Sequence, residues 1–151
     1  MKLSDNFSLE ELCKSSTASR LGIDNTAYDI DTINNLKNVA RNILQPIREK
    51  YDIPFSPNSG YRSPTLNEAI KGSPKSQHCE GKAVDIEIPT IDNSALAHWI
   101  NMNLEFDQLI LEFYRKGDPK SGWVHVSYNE GNNRKEVLTF DGKIFERGLK
   151  T

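Results

Sequence analysis

Three short runs in the second half of the chain alternate apolar and polar residues: "AVDIEI" at 83–88, "QLILEF" at 108–113 and "WVHVSY" at 123–128. Successive side chains of a strand point to opposite faces. Val84, Ile86 and Ile88 therefore share one face, and Ala83, Asp85 and Glu87 the other. Likewise Leu109, Leu111 and Phe113 oppose Gln108, Ile110 and Glu112, and Val124, Val126 and Tyr128 oppose Trp123, His125 and Ser127. A sheet with one apolar face must cover it, and the first half of the chain has to supply the cover.

The cover is legible. Ile33, Leu36, Val39, Ala40, Ile43 and Ile47 recur at spacings of three and four, which marks one face of a long amphipathic helix. Pro46 is expected to kink or end it near its last turn. Ser8 followed by Glu11 is a capping-box pattern and predicts a short helix there. "ASRLGIDNTA" at 18–27 reads as a loop. "IPFSPNSGYRSP" at 53–64 reads as a short edge strand entering an ordered loop. "PTLNEAIKG" predicts a helix opened by Pro64 and closed before Gly72. "IDNSALAHWINMN" predicts a second one, capped by Asn93 or Ser94. In "KEVLTFDGKIFERG" two alternating runs flank Asp141-Gly142, a favoured two-residue hairpin turn. The pattern is α+β: N-terminal helices packed on a mainly antiparallel sheet.

At 151 residues, the chain is expected to form a single domain, 1–151, large enough for a core without disulfide staples. The net charge of −2, with scattered lysines and arginines, gives no electrostatic case for nucleic acid or an anionic membrane. The two cysteines, Cys13 and Cys79, imply no disulfide framework and are expected to be reduced. "MKLSDNFSLEELCK" has no apolar core of a signal peptide, and no window approaches a membrane span. Synthesis in the cytoplasm is the expectation.

The polar faces then need an explanation. Taken singly, Asp85, Glu112 and His125 are ordinary solvated strand residues. Taken with His78, seven residues before Asp85, they suggest more. Two imidazoles and a carboxylate, His78, His125 and Asp85, suit Zn²⁺, and three protein ligands leave a fourth position open, as in catalytic sites. Cysteine also binds zinc, but Cys79 is not the expected ligand, because adjacent residues in an extended segment point apart. His98, in no motif, reads as structural.

Ser76, His78, Gly81, Ala83 and Asp85 fit S-x-H-x-x-G-x-A-x-D. This resembles the first metal motif of the zinc D-Ala-D-Ala carboxypeptidase group, the LAS-type peptidases, including VanY-like enzymes and phage endolysin peptidases. "WVHVSY" looks like the second motif, which supplies the last histidine. "SGYRSP" resembles the segment that carries a substrate-binding arginine, and "FSLEELCKSSTASRLGIDN" and "LQPIREKY" resemble the front of a phage-type branch. The resemblance spans nearly the whole chain. It implies a hedgehog/D-Ala-D-Ala peptidase-like fold and Zn²⁺ held by His78, Asp85 and His125. It also implies a catalytic and substrate-binding Arg62, whose alternatives are a surface arginine or one tying down its loop. Ser76 is expected to contact the substrate backbone or the metal loop, or to serve as a turn residue.

One departure stands out. Many relatives carry an acid three residues before the last histidine, where this chain has Gly122. Glu112, on the preceding strand, is the expected general base, ahead of Asp118. The resulting expectation is a monomeric zinc peptidase hydrolysing peptidoglycan stem peptides, of the D-Ala-D-Ala carboxypeptidase or L-Ala-D-Glu endopeptidase type. It would reach the cell wall after release or as a phage component. The alternative is a weakly active or inactive wall-binding or phage structural module on the same fold.

Overall fold

The computed structural model describes residues 1–151. Two short strands, β1 (Lys2–Ser4) and β2 (Phe7–Ser8), pair at the N-terminus. Helix α1 (Leu9–Cys13) opens on the expected box: Ser8 Oγ accepts from the Glu11 N–H, and the Glu11 carboxylate accepts from the Ser8 N–H. A cap of this kind contributes about 1 kcal/mol. Helix α2 (Ser16–Leu21) occupies part of the stretch expected to be loop. Ser15 caps its start and Gly22, in the left-handed region, ends it. It buries only Ala18, so no apolar period announces it.

Helix α3 (Ile30–Val39) widens into a π turn (Ala40–Leu44) and continues as α4 (Gln45–Tyr51). Pro46 does not end it. The helix runs on to Tyr51 and stops at Asp52, which is left-handed. A proline lacks the N–H of a regular turn and crowds the carbonyl four residues back. The wider turn directly before it changes the step of the ladder where that bond would be missing. Leu36, Val39, Ala40, Ile43, Leu44 and Ile47 are all fully buried.

No strand forms within 53–64, contrary to expectation. Pro54 and Pro57 cannot donate to a ladder, and the segment makes one isolated antiparallel bridge, Ser59 to Asp85. Helix α5 (Pro64–Ala69) starts at Ser63, whose side chain accepts from the Leu66 N–H. A 3₁₀ turn (Gln77–Glu80) leads through left-handed Gly81 into β3 (Ala83–Ile86). Helix α6 (Asn93–Asn103) is capped by Asp92, not by Asn93 or Ser94. The Asn93 side chain is inside the fold, donating to the carbonyls of Ser121 and Gly122.

Strands β4 (Gln108–Glu112), β5 (Trp123–Ser127), β6 (Glu136–Phe140) and β7 (Phe145–Arg147) complete a five-stranded sheet in the order β3-β5-β4-β6-β7. The sheet is mixed rather than mainly antiparallel, because β4 and β6 run parallel. After β5 the chain crosses the start of β4 and enters its far side in the same direction. The β6–β7 connection is four residues, 141–144, rather than two, because Phe140 pairs with Phe145. Asp141 closes it by accepting from the Lys143 and Ile144 N–H groups.

Val84, Ile86, Leu109, Leu111, Val124 and Val126 form the covered face of the sheet. They share one core with the α3–α4 helix and with Leu96, Ala97 and Ile100 of α6. The opposite face is left for Asp85, Ile110, Glu112, Trp123 and His125. No helix is long and apolar enough to cross a membrane.

Candidate metal centre and cleft

Strand register puts the polar groups side by side. Asp85 on β3 stands opposite His125 on β5, and His125 stands opposite Ile110 on β4. Glu112 lies two residues along the same face of β4 and pairs with Trp123. His78 comes from outside the sheet, on the 3₁₀ turn. Ser76 Oγ accepts from the His78 N–H and so caps that turn. Gly81 ends it where a Cβ would press within 2.8 Å of the Thr32 carbonyl oxygen of α3. The turn can therefore sit down on the helix only with glycine there.

His78 is nearly buried, at 4% exposure. Its Nδ1 lies 2.8 Å from the Gly60 carbonyl oxygen, which can only accept. The Nδ1 proton is therefore committed, and Nε2 faces Asp85 Oδ2, 3.4 Å away: protonated it donates to the carboxylate, deprotonated it offers a lone pair to a cation. On the other side His125 Nδ1 is 3.0 Å from Asp85 Oδ1. The two imidazole rings meet edge to face, 5.2 Å between centroids. Burial alone would raise the Asp85 carboxyl. Hydrogen bonds from His125 and His78 outweigh it and hold the group far below the usual carboxylate range.

One donor atom from each of His78, Asp85 and His125 lies within 4.8 Å of the other two. Tetrahedral zinc with bonds of about 2.0–2.1 Å separates its ligands by roughly 3.3 Å. The 3.0 and 3.4 Å contacts are close to that edge length. The donor set, two imidazoles and a carboxylate, also suits zinc, and the Gly60 carbonyl supplies the outer hydrogen bond that orients a ligating histidine. The residues fit the ion.

Glu112 is half-buried beside this group, with Oε2 accepting from Trp123 Nε1 at 2.7 Å. Burial, partly offset by the His125 charge and reinforced by Asp85, raises its carboxyl above the ordinary value. Gly122 has φ +67°, and a Cβ there would collide with the carbonyl oxygen of Glu112. The chain needs glycine at 122, so an acid cannot stand there. Asp118 pairs with Arg115 at 2.8 Å on an exposed loop.

His125 and Glu112 line an open cleft of ≈ 500 Å³ together with Ser73, Lys75, Ser76, Gln77, Glu80, Gln108, Ile110 and Arg134. Arg62 does not line it. Its Nη1 donates to Asn67 Oδ1 on α5, and its backbone N–H donates to the His78 carbonyl. Arg62 instead borders a separate groove with Lys14, Ser15 and Ile70. Cys79 lines yet another cavity, with Pro64, Asn67 and Pro74, and stands outside the donor group. Both cysteines are free. His98 is an exposed residue of α6 whose Nε2 reaches only Thr151.

Sequence reasoning missed three partners of this site: the Gly60 carbonyl, the Trp123 indole as a donor to Glu112, and Asp107. Gly60 and Trp123 lie inside the motif-like segments "SGYRSP" and "WVHVSY", but neither was read as a partner, and Asp107 lies in none. Only the strand register, in which Trp123 pairs with Glu112, carries a hint of the second.

A search of curated proteins gave no match. The model of the family described as Peptidase M15 matches residues 5–127, which include His78, Asp85, Glu112 and His125. Peptidases of that family are zinc-dependent. The chain therefore belongs to the peptidase M15 family, the zinc D-Ala-D-Ala carboxypeptidase or LAS-type group, as its motifs suggested.

Proposed function

We propose that the protein is a zinc metallopeptidase, one peptidase domain in a monomeric chain, that hydrolyses short peptide bonds of bacterial peptidoglycan stems. The observation that carries this reading is the convergence of His78, Asp85 and His125 within 4.8 Å on the open face of the sheet, with Glu112 beside them. His78 through Nε2, Asp85, and His125 through Nδ1 would hold the metal. Bound zinc supplies a Lewis acid for water and for the scissile carbonyl.

The chain's own groups do the rest. Glu112 acts as general base and then general acid. Trp123 occupies its Oε2, which leaves Oε1 to take the proton of the attacking water and return it to the departing amine. Asp85 lowers the site's net positive charge relative to a three-histidine set. Ser76 serves as the cap that orients His78 and borders the substrate path. Arg62 supports the site from behind: its guanidinium holds Asn67 while its backbone holds the His78 turn. That favours a loop-tying role over direct oxyanion contact.

The substrate bond is D-Ala-D-Ala or L-Ala-D-Glu, and the enzyme reaches the wall on release from the cell or within a phage particle. The glycine at 122 gives no support to an inactive wall-binding module, because backbone geometry demands it and Glu112 stands close by. The test is a Zn²⁺ titration of metal-free protein. One tightly bound zinc is expected, lost in His78→Ala and His125→Ala. Unaltered zinc binding in both variants would refute the site.

A further inference from the structure

We propose that Asp107 is a positioning residue for the metal centre, which it supports by holding, through Gln77, the turn that carries His78. The inference rests on reading His78 as a metal ligand.

Asp107 precedes β4 and is 2% exposed. Its Oδ1 accepts from the Arg134 N–H and from Arg134 Nε, both at 3.0 Å. Its Oδ2 accepts from Arg134 Nη2 at 2.9 Å and from Gln77 Nε2 at 2.9 Å. Its backbone is also committed: its N–H donates to the Ser127 carbonyl, and its carbonyl accepts from the Glu136 N–H. The carboxylate joins the His78 turn to Arg134, and the Asp107 backbone joins the start of β4 to the end of β5 and the entry to β6.

A buried charge is expensive, and an apolar residue of similar volume often serves stability as well or better. What the ion pair adds is fixed geometry. Arg134 grips the carboxylate with a two-pronged pair of charge-assisted bonds, which leaves the carboxylate little freedom. Gln77 then has one place to go, and the next residue is His78. The ligand is steered from three points: the Gly60 carbonyl at its ring, Ser76 at its backbone, and Asp107 through its neighbour. Arg134 lies beyond the region matched by the family, so the clamp makes the segment after residue 127 part of the metal centre's support.

Gln77→Ala cuts the link to the turn and leaves the Asp107–Arg134 pair in place. Two measurements on the full chain test it. In zinc competition against a chelator, the variant is expected to bind Zn²⁺ about 10-fold more weakly, the low end for losing an outer hydrogen bond. In metal-free protein, the His78 ring nitrogens and the Nδ1 proton, identified by their loss in His78→Gln, are expected to shift, and the proton to exchange faster with water. The melting temperature of metal-free protein should fall by only a few degrees, so well below the transition the folded fraction is unchanged and both readouts report positioning rather than unfolding. His78 resonances and proton exchange identical to wild type would overturn the proposal. If wild type bound no zinc but Gln77→Ala still moved the His78 signals, the metal reading would fail, and with it the role in a metal centre, while the tie from Asp107 to the His78 turn would stand.

Discussion

Asp85 and His125 face each other across β3 and β5, with Asp85 Oδ1 3.0 Å from His125 Nδ1. Asp85 also reaches His78 on its other oxygen, so it joins the two histidines. Asp85→Asn keeps the shape and removes the charge. Zinc affinity is expected to fall by more than about 100-fold, beyond the range for loss of an outer partner. Chelator competition measures it.

Glu112 gives a pH dependence of definite sign. Its carboxyl is raised chiefly by burial, so the base form is lost while pH is still above the ordinary carboxylate range. In metal-free protein the Glu112 carboxyl is expected to titrate above the ordinary carboxylate range, which NMR of its side-chain carboxyl carbon against pH measures. Glu112→Gln should lower kcat by roughly 10²–10⁴-fold while zinc stays bound. Stability runs the other way. A group whose folded pKa is raised contributes stability below its unfolded pKa and loses it as pH rises through the folded one. Metal-free Glu112→Gln is therefore expected to melt higher than wild type at neutral pH, by calorimetry.

Gly122 is required by its backbone. Restoring an acid there, Gly122→Glu, places a Cβ on the Glu112 carbonyl at φ +67°. Strain in the left-handed region and the forced shift of β4 together are expected to cost roughly 2–4 kcal/mol. Urea unfolding measures this, and kcat should fall rather than rise because Glu112 moves.

Leu36 is fully buried under the metal turn, with its Cγ 3.0 Å from where a Cβ on Gly81 would stand. Leu36→Ala is expected to destabilise by about 3 kcal/mol, as large-to-small core changes do. Denaturant titration checks the value.

Much of the site was legible because strand alternation is a strict two-residue period. It assigned Asp85, Glu112 and His125 to one face before any pairing was known, and the observed register joins them. The long helix was legible through Leu36, Val39, Ile43 and Ile47 for the same kind of reason. What alternation cannot give is the order of strands. β6 beside β4 makes the sheet mixed, and that depends on the crossing loop held by Asp107 and Arg134, an interaction 27 residues apart. Helix α2 was hidden because two caps rather than an apolar stripe define it. Arg62 was legible as a residue type in a motif-like segment, but its direction toward Asn67 is set by α5 packing. Gly122 looked like a missing acid because the sequence does not display the Glu112 carbonyl that fills its space.

The central claim is that zinc at His78, Asp85 and His125 drives cleavage of wall peptides. The most direct test is mass spectrometry of purified peptidoglycan digested with the protein as isolated, after chelation, and after Zn²⁺ is restored. New stem-peptide fragments are expected that vanish on chelation and return with zinc. Identical fragments from the chelated protein, or none from the zinc-loaded one, would contradict it.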